Sequence, residues 1–175
     1  MHRNTPGGPA NPVQLLDVPA FERQLRRGIA LLDRVVEMNT RNWAAMWLTG
    51  KAFQRLGHSE NALRSFSSAH AINPTNPDVS REAAIAAMEL GRPEEAIPFC
   101  ERAIEAKPND PGLHSNLALA TLFAGDVKRA ALLADDALRR DPNDNTTRRI
   151  VDACRDVLAG KMACPRHVRD FTDRR

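Results

Sequence analysis

At 175 residues and 19.4 kDa, with a net charge of +3 and 42% hydrophobic residues, the chain is long enough to bury one sizeable core and too short for two comfortable domains. It has no apolar run near the roughly 18 residues a membrane-spanning helix needs, and its three cysteines, without CxxC spacing, make neither a disulfide framework nor a zinc ribbon. The positive charge is local, because in residues 160–175 Lys161, Arg166, Arg169, Arg174 and Arg175 face only Asp170 and Asp173. The remaining body is therefore neutral and presents no basic face for nucleic acid.

Residues 1–18 read as a flexible leader rich in Gly and Pro. Met1 to Pro12 lacks the apolar core of a secretory signal, so a cytoplasmic location with reduced thiols is expected. A helix is predicted over 19–39, where Leu25, Ile29, Leu32 and Val36 recur at helical spacing. From there a period of 34 residues governs the chain. It relates Gly57, Gly91 and Gly125; Ala62, Ala96 and Ala130; Ala69, Ala103 and Ala137; and Pro74, Pro108 and Pro142.

Each copy reads as two helices with its own start and stop signals. Asn42 can cap a helix that runs to about Leu56, Gly57 tolerates the left-handed conformation at its end, and Ser59 can cap the next. Pro74 stops that second helix, and Asn76-Pro77 restarts the chain with a cap followed by proline at the first helical position. Asp110-Pro111 repeats the device, and Asp144 caps a last helix over 145–159 before Gly160. The alanines let helix axes approach closely. The larger core residues are expected to be Met46, Phe53, Leu63 and Phe66, then Ile85, Met88, Leu90, Ile97 and Ile104, then Leu117, Leu119, Leu122, Leu132 and Leu138. The last sixteen residues, 160–175, read as a basic, mobile, solvated tail.

With Gly50-x2-Phe53, Ala62-x3-Phe66, Ala69 and Pro74, the first copy resembles the tetratricopeptide repeat (TPR) family. The resemblance covers residues 43–144. It implies an all-α, right-handed helical-hairpin solenoid with repeats at 43–76, 77–110 and 111–144, between cap helices at 19–39 and 145–159. The later copies depart from the pattern: Ala87 and Thr121 stand where Phe53 stands, and Cys100 and Ala134 where Phe66 stands. Met46, Ser80 and His114 occupy the position of the family's tryptophan.

In such a solenoid the first helix of each repeat lines a concave groove. Carried over position by position, the resemblance marks Trp47, Lys51 and Gln54, then Arg81, Ile85 and Met88, then Ser115, Asn116, Leu119 and Leu122, and finally Arg149, as residues that bind a peptide or protein. Lys51, Arg81 and Arg149 suggest a ligand with an acidic group. The Lys and Asn clamp with which some family members hold a terminal carboxylate is not matched, because Lys51 and Glu82 stand where asparagine is wanted.

The expected function is that of a cytoplasmic adaptor or scaffold, with no catalytic residue, cofactor or metal and no nucleic-acid or membrane partner. An alternative is a dedicated chaperone or regulatory subunit of one partner complex. A remote third is a metal or enzymatic role for Cys154, Cys164 and His167, which lack the fourth ligand of a closed zinc site. Oligomeric state is left open.

Overall fold

The computed structural model describes residues 18–172; residues 1–17, nearly all of the expected leader, and 173–175 lie outside the described residues. Among the described residues are α1 (Val18–Met38), α2 (Trp43–Arg55), α3 (Ser59–Ile72), α4 (Pro77–Glu89) and α5 (Pro93–Ala106). They are followed by α6 (Pro111–Phe123), α7 (Val127–Arg140), α8 (Asn145–Leu158) and a single turn, α9 (Val168–Thr172). None is long and apolar enough to cross a membrane.

The first helix of each hairpin starts at a side-chain cap. Asn42 Oδ1 accepts from the Ala45 amide at 3.0 Å, Asn76 Oδ1 from Asp78 and Val79, Asp110 Oδ1 from Gly112, and the Asp144 carboxylate from Thr146 and Thr147. These bonds satisfy amides that a helix leaves without internal partners. The same helices end alike. Gly57, Gly91, Gly125 and Gly160 take φ of +72°, +69°, +89° and +69°, a conformation in which a Cβ is strained. The residue after each glycine donates back to the helix, as from His58 to Phe53 and from Lys161 to Asp156. Ser59, expected to cap α3, is instead its first residue: His58 holds the cap position without a side-chain bond, and Ser59 Oγ donates to Glu89 at 3.1 Å.

Each hairpin packs on the next, with α1 covering α2 and α8 covering α7. Between the layers lie small side chains: Ala62, Ala69, Ala83, Ala87, Ala96, Ala118, Ala130 and Ala134 are all fully buried. Phe66 fills the space under Gly50 so closely that a Cβ there would meet three ring atoms within 3 Å. Thr121, at the position of Phe53, is buried without penalty because its hydroxyl donates to the Leu117 carbonyl at 2.7 Å. Leu132, expected in the core, is 72% exposed. One and two periods earlier stand Pro98 and Arg64, both exposed, so the position belongs to the solvent side of every second helix.

Candidate functional site: the layer of first helices

Within the stack, α4 also touches α6, and α6 touches α8, while α3, α5 and α7 make no comparable approach to one another. The layer whose members lie closer together is the inner side of a curved stack, so α2, α4, α6 and α8 form the concave face. The residues that the resemblance marks stand on these helices, but the layer does not present them equally. Met88, Ser115 and Leu122 are buried, and Ser115 accepts a hydrogen bond from Thr147 Oγ1 at 2.8 Å. Trp47, Lys51, Gln54, Arg81, Ile85, Asn116 and Leu119 are partly exposed.

At the N-terminal end of this face, the first turns of α2 and α4 enclose an open hollow of about 210 Å³ lined by Trp43, Ala44, Trp47, Leu48, Asn76, Asp78 and Val79. Its walls are mostly apolar, and Leu48 is 47% exposed. The indole Nε1–H of Trp47 is buried with no acceptor among the described residues, although a buried polar group ordinarily has a partner. The residues that the resemblance marks include Trp47, but not Trp43 or Leu48, which were missed. The signal that could have found them is the unusual pair of indoles one turn apart.

One turn along α2, Lys51 Nζ donates to Gln54 Oε1 and to Glu82 Oε2, both at 2.9 Å. Arg81 reaches Asp78 at 3.0 Å and Glu82 at 3.5 Å. Two of the three cations expected to meet a ligand's acidic group thus already share Glu82, whose side chain is only 9% exposed. Such a pair across α2 and α4 fixes their register as much as it offers charge to a ligand.

Part of the C-terminal half of the face is covered by the chain itself. After Gly160, residues expected to form a solvated tail run back over the ends of α4, α6 and α8. Cys164 Sγ donates to the Leu122 carbonyl at 3.2 Å, Pro165 is buried, and the His167 ring lies where a Cβ on Gly91 would stand. The amides of Arg166 and His167 both donate to the Asp170 carboxylate at 3.1 Å, which caps α9. Phe171 is then 4% exposed: its ring meets Phe123 edge-on at 6.2 Å, the Arg149 guanidinium lies 4.9 Å over it, and Arg149 also donates to the Phe171 carbonyl at 2.7 Å. Arg149 has no carboxylate partner among the described residues, although Asp152 and Asp156 line the hollow of about 250 Å³ beside it.

The three cysteine thiols are all shifted toward their neutral form. Burial, and then Glu101, pushes the Cys100 thiol up to about 12; burial, and then Cys164, pushes Cys154 up to about 11; Cys164 is also raised by burial. All three stay protonated thiols near neutral pH, the poorer nucleophiles and metal ligands. Among the described residues, no group of three or more His, Cys, Asp or Glu side chains is placed to hold a metal ion. His114 bonds the Pro108 carbonyl, and His70 sits between Ser80 Oγ at 3.0 Å and the edge of Phe99.

Capped hairpins on a fixed period, stacked with their first helices inward, define an α-solenoid. A tetratricopeptide repeat model matches residues 55–120 and 87–148, and a second matches 21–77. The chain belongs to the tetratricopeptide repeat family.

Its fold is similar to that of MamA, with a TM-score of 0.73, 14% identity and coverage of 85% of this chain and 87% of that one. It is also similar to YrrB, described as a TPR protein with an unusual peptide-binding site, with a TM-score of 0.71, 17% identity and coverage of 83% and 75%. The second TPR domain of human RPAP3, solved in complex with the HSP70 peptide SGPTIEEVD, superposes with a TM-score of 0.58, 20% identity and coverage of 61% and 88%. No curated protein matches the sequence.

Proposed function

We propose that this protein is a non-catalytic interaction scaffold that holds a segment of a partner protein against the layer formed by α2, α4, α6 and α8. The observation that carries the reading is the open apolar hollow between α2 and α4. Two indoles and a half-exposed leucine surround a space large enough for an apolar side chain, and beside it stands an indole donor with no acceptor among the described residues. Exposed aromatic and aliphatic clusters of this kind serve as anchors at protein interfaces. Family members with solved structures that bind peptides support the same reading.

An acidic group on the partner would have to displace Glu82 from Lys51 and Arg81, or reach Arg149. Three free cysteines suit a reducing compartment, which favours action in the cytoplasm.

The test is capture of partners from host lysate by the full chain and by Leu48→Glu, followed by calorimetry on whatever is captured. Leu48 carries little of the core, so the variant should fold and lose the partner by about ten-fold or more in affinity, from loss of an interface anchor. A partner held equally well by both proteins would move the binding surface away from this hollow. A complex that stays stoichiometric through gel filtration would make the chain a dedicated subunit, whereas rapid exchange would make it an adaptor.

A further inference from the structure

The chain leaves α8 through the same glycine turn that leads α2, α4 and α6 into their second helices, yet among the described residues only the single turn α9 follows it. Residues 161–171 instead run as a strap along the C-terminal ends of α4 and α6 to Arg149 of α8, anchored at both ends. At one end Cys164 donates to a main-chain carbonyl of α6. At the other, Phe171 is clasped between Phe123 and Arg149, with the guanidinium both over its ring and bonded to its carbonyl oxygen. The bare backbone of Gly91 makes room for His167 between them.

We infer that the strap is a built-in occupant of the C-terminal half of the groove, and that this half takes from a partner what the strap now supplies: an aromatic side chain with a main-chain carbonyl beside it. The inference rests on the reading of the first-helix layer as the binding face. Its chemistry follows from the clasp, because Arg149 offers a stacking plane and a donor fork to any aromatic residue whose carbonyl points the same way. Two levels of binding result. A weak partner engages only the open hollow at α2 and α4, and a partner with the aromatic anchor displaces the strap and spans the whole face.

Tethering makes the strap a strong competitor, because a segment joined by a short linker acts at an effective concentration on the order of 1 mM. The probe is a fluorescent peptide copying residues 160–175, titrated against the full-length chain by anisotropy. The wild type should bind it weakly. Full-length Phe171→Ala, whose own strap is unclasped, should bind it about ten-fold or more tightly once the tethered competitor is gone. Phe171→Ala/Arg149→Ala should return to weak binding. No gain in Phe171→Ala, or a gain that survives the loss of Arg149, would overturn the inference.

A second readout needs no added peptide. The rate at which a thiol reagent modifies Cys164, located by mass spectrometry, should rise in Phe171→Ala and also in Arg149→Ala, which opens the clasp from the opposite side without touching the strap. Equal rates in wild type and Arg149→Ala would show that the strap is not held there. Neither assay uses Leu48 or the captured partner, so the strap can fail while the scaffold reading stands, and the reverse.

Discussion

Replacing Gly50 by alanine sets two known effects against each other. In the middle of α2, alanine should favour the helix over glycine by about 0.5–1 kcal/mol. Against that, the added Cβ would lie 2.5, 2.7 and 2.9 Å from Cε1, Cδ1 and Cζ of Phe66, where carbon atoms prefer about 3.5–4.0 Å. Phe66 is fully buried, so its ring cannot swing aside into solvent, and overpacking of this kind costs about 1–3 kcal/mol. With three ring atoms each roughly 1 Å too close, the upper part of that range applies, and the net effect is a loss of about 1–2 kcal/mol.

Gly28→Ala is the control. It lies inside α1 with nothing within 4 Å of the new Cβ, so only the propensity term remains and the chain should gain about 0.5–1 kcal/mol. Urea unfolding followed by far-UV circular dichroism reads both. In a Phe66→Leu background the Gly50→Ala penalty should shrink, giving a coupling of about 1 kcal/mol between residues in contact. A Gly50→Ala protein as stable as Gly28→Ala would refute the argument that the ring of Phe66 sets the spacing of α2 and α3.

Two further outcomes follow from titrating groups and caps. Burial first, and Arg102 second, hold His70 below its ordinary range, so below about pH 6.5 the unfolded chain binds a proton that the folded chain resists. Stability present above that value should therefore decline as the pH falls through the window toward the folded pKa, and urea midpoints of His70→Gln should show a shallower decline. Asp144→Ala should cost about 1 kcal/mol at neutral pH by uncapping α8. Burial works against its ionisation, yet the bonds from Thr147 and Thr146 hold its carboxylate below the ordinary range. The capping contribution should thus be complete above the ordinary carboxylate value and disappear as the pH falls through the lower folded value, where melts of variant and wild type should converge.

Much of the fold was legible because its signals are local and repeat. Asn42, Asn76, Asp110 and Asp144 cap helices through bonds no more than three residues long, and the four glycines hold positive φ where the period put three of them and the last helix end put the fourth. Leu132 was misread because a leucine looks like core by composition; the exposed Arg64 two periods earlier was the better guide. The candidate site was legible only as a stripe. Position within a repeat says which helix faces inward, but not that Met88, Ser115 and Leu122 are buried, nor that Glu82 already draws in both Lys51 and Arg81.

The amino-acid sequence by itself thus determined the hairpins, their caps and their order, since each depends on residues within one turn or one period of each other. Only the tertiary structure decided what covers the inner face. The contacts of Cys164 with Leu122, His167 with Gly91, and Phe171 with Phe123 and Arg149 join residues 22 to 76 positions apart. No periodicity announces such pairings: a basic stretch with one phenylalanine reads as tail until the folded solenoid supplies an apolar edge and a guanidinium for that ring to meet.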